Sequence, residues 1–333
     1  MDHPIPEGFE LTPCPGCGSD RWTLARTGRD WILNPDRTVQ IVRCDKCGLH
    51  FTNPRPSAAH LGNYYSEEYA PYQKQRGEIR RKSQASTALR TWILASSFGS
   101  PRHKPTGFRR LAAAAVKILQ PMKQFGSGVP YQGDGRLLDF GCGNGTFLRR
   151  MKAVGWTCTG IDFSQQAVDA VIADGIPALQ GTLPHPDLQP EYFDVVTMRQ
   201  ALEHVPNPRD VLLAAKNILK PGGKLLINVP NYESWEIDYF GDAAQTLQIP
   251  RHLLHFTPRT LRNLLESCGF ISVELHQISR ANWLIKSVQQ LNRREKKKWD
   301  AWLKFRPAIN FAAFQAQRRG KGNELIAIAR KRR

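Results

Sequence analysis

Residues 137–147 read LLDFGCGNGTF, an apolar run that holds one acid and then glycines at alternate positions. A glycine-rich turn after a strand lets a ligand approach the backbone, and the spacing indicates which ligand. A dinucleotide-binding turn needs G-x-G-x-x-G, which would put its third glycine where Thr146 stands. The observed set is Gly141, Gly143 and Gly145. A phosphate-cradling loop ends in Gly-Lys-Ser/Thr, and this one does not. Asp139, at the strand end, pairs with a cationic group and repels a pyrophosphate. The loop therefore points to a positively charged, nucleoside-like ligand.

Asp162 stands 23 residues further on, at the end of TCTGID and ahead of Phe163 and Ser164. An acid at the end of the second strand of a βαβ unit accepts hydrogen bonds from both ribose hydroxyls. Two acids and a glycine turn without a phosphate binder suit S-adenosylmethionine. The stretch resembles the first motif of class I S-adenosylmethionine-dependent methyltransferases, and GIDFS resembles their ribose-binding strand end. The resemblance implies that Asp162 takes the ribose, while Phe163 and the 180–183 loop, with Gly181 and Thr182, border the adenine. It implies that Asp139, Gly141, Gly143 and Gly145 face the methionine amino group, with Met198, Arg199 and Gln200 along the methionine side. The family often carries an acid at the adenine edge of the third strand end, where this chain offers Thr182.

Glu203-His204, in ALEHVPNP, resembles the family's LEHV motif, whose histidine lies near the sulfonium. PRHLLHFTP (250–258) brings His252 and His255 to the place where the family puts a lid over the acceptor. Methyl transfer is an in-line displacement, so positioning does most of the work. A base is needed only for the acceptor's proton. His255 is the first candidate for that base and His252 the second, with His204 beside the cofactor. A packing or capping histidine is the alternative for each.

Near the start, CPGCG (14–18) and CDKCG (44–48) give two CxxC pairs, with 26 residues between Cys17 and Cys44. Each pair can form a knuckle, two thiolates on a tight turn. Together Cys14, Cys17, Cys44 and Cys47 make a tetrahedral zinc site with no open position, hence a structural one. The segment between them has strand-like stretches, as a zinc ribbon requires, and a redox CxxC is the rival reading. The run from CDKCGLHFTNPRP to the following Tyr-Tyr resembles the N-terminal part of a group of bacterial methyltransferases associated with surface-polysaccharide or related small-molecule pathways.

The elements that must position these residues follow in order. Strands are expected at RLLDF, TCTGID, 178–180, FDVVTM, KLLINVP, FISVELH and ELIAIAR, alternating with helices as a parallel sheet demands. Ser164 caps one helix, Asn207-Pro208 opens another that stops at Lys220-Pro-Gly-Gly, and Thr257-Pro258 opens a third, closed by Gly269. The fold class is α/β: a Rossmann-like, seven-stranded doubly wound sheet with an N-terminal zinc ribbon and basic helical insertions. The expected domains are a ribbon at 1–56, a basic helical connector at 57–130 and a cofactor-binding domain at 131–333 with a basic insertion at 281–322.

A chain of 333 residues has room for such a core and its attachments. There is no apolar run of 18 residues and no signal-peptide pattern. The cysteine usage suits a reducing cytoplasm. The formal net charge is +18. Residues 74–125 carry 12 Lys/Arg against one acid and residues 281–333 carry 15 against three, so the remainder is mildly acidic. Two basic segments on a mildly acidic core suggest an anionic partner.

The favoured function is methyl transfer to oxygen or carbon of a small acceptor, sugar, quinone-like or lipid-linked. On this reading the chain is cytoplasmic, with peripheral contact at the inner, anionic face of the membrane. Leu284, Val288, Leu291, Trp299 and Trp302 at near-helical spacing, with Arg293, Arg294 and Lys296–Lys298 between them, read as a membrane-surface helix. The alternative is an RNA methyltransferase that binds RNA through the ribbon and the basic segments, with aromatics stacking on bases. A third reading is a non-catalytic S-adenosylmethionine-binding protein.

Overall fold

Arg136–Phe140, Thr157–Asp162 and Phe193–Arg199 are short runs rich in apolar and β-branched residues, and nearly every side chain in them is buried. Burial on both faces is the mark of interior parallel strands. Leu138 lies opposite Thr159 on one side and Val196 on the other, both pairings parallel. The computed structural model describes residues 5–31, 33–65, 99, 128–295 and 305–333. Most of the basic helical connector expected at 57–130, and Trp299 and Trp302, lie outside them.

The seven-stranded sheet runs in the order Ile271–Ile278, Glu324–Arg330, Leu219–Pro230, Phe193–Arg199, Arg136–Phe140, Thr157–Asp162, Ala178–Gln180. Chain order thus reverses between Arg136–Phe140 and Phe193–Arg199. Ligands of doubly wound sheets bind at such a switch point, outside the carboxyl ends of the strands. All seven expected strands are present. One differs in extent: Lys220-Pro-Gly-Gly, expected as a turn, belongs to the strand Leu219–Pro230. Gly222 N–H donates to the Lys331 carbonyl and Lys331 N–H to the Gly223 carbonyl, so the C-terminal residues draw these positions into the ladder.

A second, four-stranded sheet has the order Leu254–His255, His50–Thr52, Asn34–Cys44, Trp22–Asp30. Its cysteine-bearing hairpin is no separate appendage. Val39 and Ile41 share an apolar cluster with Ile237, Phe240, Leu247 and Ile249 and with Leu284, Val288, Ile309 and Ala313 from two later helices. The chain accordingly groups into two compact units. One takes Met1–Ser66, Gln200–Leu212 and Ile227–Ile328; the other takes Glu67–Arg199, Leu213–Leu226 and Ala329–Arg333. A strand as late as Leu254–His255 completes the sheet that carries the cysteines.

The helix Ala281–Glu295 corrects a sequence expectation. Leu284 and Val288 are 2% and 4% exposed and Leu291 is partly covered, all packed in the cluster just described. The apolar stripe that reads as a membrane face is used inside the protein. Periodicity marks an apolar face without saying what covers it.

Candidate functional site

In the unit that holds the glycine loop, the strand Arg136–Phe140 delivers Asp139 and then turns sharply. Gly145 is the residue ahead of the helix Thr146–Ala153, with φ of 74°. A β-carbon there would sit 2.9 Å from Val171 Cγ2, so neither the conformation nor the space admits a side chain. Asp139 is 2% exposed and accepts a 2.6 Å hydrogen bond from the Thr197 hydroxyl. Burial pushes its carboxyl up to about 7, against the pull of Thr197 and of the Arg199 cation. Arg199 itself lies over the Phe147 ring, 4.4 Å from its centroid.

Asp162 is tied down by backbone. Its Oδ2 accepts from Gly143 N–H at 2.9 Å and its Oδ1 from Ser164 N–H at 3.0 Å. Burial raises its pKa and these N–H groups oppose the rise. The carboxylate therefore latches the glycine loop, a structural duty that the sequence did not show. Phe163, half exposed, follows it. Gly181 N–H donates to the Asp162 carbonyl, which brings Gly181 beside Asp162, while Thr182 is exposed and Met198 fully buried. Two buried acids on paired strands disfavour a phosphate and suit a cation.

The other unit opens at Gln200, a non-glycine residue at φ 55°. Its side-chain amide donates to Glu324, which also accepts from Asn228 and pairs with Arg280. Three residues on, Glu203 is fully buried, and neither carboxylate oxygen has a hydrogen-bond partner among the described residues. Burial, then repulsion from Glu324, lifts it to about 8. His204 and His252 join it: their ligand atoms and a Glu203 oxygen all lie within 4.8 Å of one another. The two imidazoles meet edge to face at 4.8 Å.

One tautomer follows from its partner: His252 Nδ1 donates to the Thr246 carbonyl at 3.0 Å, and since a carbonyl can only accept, its Nε2 keeps a lone pair. His204 Nδ1 has two neighbours, the Tyr65 hydroxyl at 2.8 Å and the Arg251 carbonyl at 3.2 Å, and its neutral ring keeps one lone pair in either tautomer. Burial holds His204 down to about 4 and His252 well below the usual histidine range. The cluster is a protonated carboxyl among two neutral proton acceptors, a set that can move a proton. The same three atoms make a donor set that a divalent cation can share.

His255 is not among them. Thr52 gives its one hydroxyl proton to the His252 carbonyl, so His255 Nε2–H must donate to Thr52, at 3.1 Å. His255 lies in the strand Leu254–His255, opposite His50, and burial lowers it to about 3. The geometry thus brings His204 and His252 together with Glu203 and gives the first-ranked histidine a strand-pairing position. Sequence reasoning named Glu203 only as the neighbour of His204. Tyr65 and Thr52 carry no signal, because their partners are more than 130 positions away.

The four cysteines converge. Cys14 and Cys47 sulfurs are 3.5 Å apart, Cys17 and Cys44 3.6 Å, and all four lie within 4.8 Å of one another. Ligands at 2.3 Å around a tetrahedral zinc would be ~3.8 Å apart, so the set fits that ion. Backbone N–H groups of Gly16, Ser19 and Leu49 reach Cys14, Cys17 and Cys47, as thiolates in knuckles require.

Comparison with known proteins adds the family. The methyltransferase-domain family matches residues 106–275, just over half of the chain. The chain belongs to that family. It carries a class I S-adenosylmethionine-dependent methyltransferase domain, as the glycine loop, Asp162 and the strand order lead one to expect. Among curated relatives, a ubiquinone biosynthesis O-methyltransferase from Aeromonas salmonicida is 28% identical over 149 residues, covering 41% of this chain and 63% of the relative. Another so named from Xanthomonas euvesicatoria is 36% identical over 103 residues, covering 29% and 43%. The chain thus spans less than two thirds of the length of these relatives. A solved S-adenosylmethionine-dependent methyltransferase from Thermotoga maritima, described as a possible histamine N-methyltransferase, aligns with 18% identity. Its TM-score is 0.44, over 74% of this chain and 96% of that one.

Proposed function

We propose that the protein methylates a hydroxyl of a small, quinone-like or lipid-linked acceptor, with S-adenosylmethionine as donor. The observation that carries this reading is the buried group of Glu203, His204 and His252, which offers two uncharged nitrogen lone pairs for a hydroxyl proton. The names of the curated relatives support an acceptor of this class over RNA, for which no comparable support exists.

When bound, the donor supplies an electrophilic methyl group on a sulfonium. Asp162 holds the ribose, with Phe163, Gly181 and Thr182 along the adenine. Asp139 and the loop of Gly141, Gly143 and Gly145 take the methionine amino group, and Met198, Arg199 and Gln200 border the methionine side. His252 or His204 accepts the acceptor's proton, the neutral state of both being secured by burial. His255 supports their segment through Thr52. Cys14, Cys17, Cys44 and Cys47 hold a structural zinc. None of the seven cysteines is in a disulfide, which supports a cytoplasmic protein. Among the described residues no helix is long and apolar enough to cross a membrane.

Calorimetric titration with S-adenosylmethionine tests the donor site. The native chain should bind in the micromolar range and Asp162→Ala at least about 100-fold more weakly, having lost both ribose acceptor and loop latch. Absence of binding by the native chain would end the proposal. Turnover on catechol and demethylated quinone acceptors then tests the acceptor class.

A further inference from the structure

On the helix Arg306–Arg318 the usual burial preference is reversed. Its inward positions are Ile309, Ala313 and Ala316. Its outward positions include Phe311 and Phe314, 62% and 54% exposed, and Phe305, just ahead of the helix, is 64% exposed. Phenylalanine is among the residues most often found inside, and an exposed apolar patch of this kind marks an interaction surface. Phe311 and Phe314 are three apart and share a face. Arg318 continues that row, its guanidinium 5.7 Å from the Phe314 ring centroid.

The segment that carries the patch has charge of one sign, and Lys321 at its end pairs with Asp238 of another helix at 3.3 Å. Residues 305–323 hold four cations, Arg306, Arg318, Arg319 and Lys321, and no acid. The three arginines are exposed. We propose that this face lies on an anionic lipid surface, with its phenylalanines at the acyl boundary and its arginines among the headgroups. The aromatic row inserts, and arginines flank it at both ends of the helix. The segment itself has no acid to be repelled. The sequence alone put a lipid contact on Leu284, Val288 and Leu291, which are packed inside; the next helix, packed against that one, carries the exposed apolar groups instead. The inference does not depend on which acceptor is methylated.

The test is co-sedimentation of the full chain with vesicles of phosphatidylcholine alone and of equal parts phosphatidylcholine and phosphatidylglycerol. The native chain should partition about tenfold more strongly onto the anionic vesicles. The double variant Phe311→Ser/Phe314→Ser should lose about tenfold of that partition with its melting temperature and S-adenosylmethionine affinity unchanged. Arg318→Gln/Arg319→Gln should weaken binding and flatten its salt dependence. A Phe314→Trp variant should gain blue-shifted emission over the native chain when anionic vesicles are added. A native chain that stays in the supernatant, or a double phenylalanine variant that binds as the native does, would overturn the proposal. So would sedimentation-velocity data showing a dimer that the same phenylalanine substitutions dissolve, since the face would then belong to a second copy.

Discussion

At the scale of single residues the informative groups are those that burial holds uncharged. Asp139 has its pKa raised from an ordinary 3.8 to about 7. Its folded form binds a proton that the unfolded chain releases, so its contribution to stability is full below pH 4 and is lost as the pH rises to 7. That loss is on the order of 4 kcal/mol for the ligand-free protein. Asp139→Asn should therefore gain in urea midpoint relative to the native chain as pH rises from 4 to 8, the two curves meeting near pH 4. The histidines give a second test. With His204 held near 4 and His252 well below the usual histidine range, loss of their lone pairs by protonation should place the acid limb of kcat/KM below pH 5. A limb at pH 6.5 would put the base elsewhere. His252→Ala should lower kcat at least about tenfold with a modest change in melting temperature. His255→Ala should do the reverse, since its imidazole ties Thr52 to its own strand.

Elements differ from their sequence signals where another part of the chain covers or pairs with them. Capping chemistry is local, and it reads directly. Thr257 and Thr260 form a capping box at the start of Pro258–Ser267, and the Ser164 hydroxyl accepts from Ala167 N–H. The helix Ala281–Glu295 shows the opposite. Its apolar row was legible, but its partner was not, because Val39, Ile41, Ile237 and Phe240 come from distant stretches. Leu284→Ala should accordingly cost about 2–5 kcal/mol, as for a packed core leucine, in chemical denaturation. A cost under ~0.5 kcal/mol would be that of a surface position and would return the helix to the solvent or the membrane.

For the whole molecule the cysteine centre is the main dependency. The strand His50–Thr52 follows the second knuckle and pairs with Leu254–His255. Thr52 N–H donates to the Leu253 carbonyl, and Leu253 N–H to that of Glu203. Metal at the knuckles is thereby linked, through two strands, to the segment that carries His252. Elemental analysis should find one zinc per chain. Removing it with a strong chelator should speed amide exchange at Thr52 and Leu253 by an order of magnitude or more. S-adenosylmethionine binding, whose acids sit in the other unit, should change by less than about twofold. Unchanged exchange at Thr52 would show that the hairpin holds without the ion.

The sequence by itself determined the features that depend on short range. The glycine turn with its acid, the second acid 23 residues on, the two knuckles and the seven strands are each written in neighbouring residues, since local backbone geometry and side-chain alternation are local physics. Only the tertiary structure decided what buries what. His204 and His252 are 48 positions apart, and their company with Glu203 exists only once the chain has folded, when burial sets the protonation of all three. The same holds for the helices of 281–318. Periodicity gave an apolar face to the first, but packing chose what would be covered, putting Leu284 and Val288 inside and leaving Phe311 and Phe314 of the later helix in solvent.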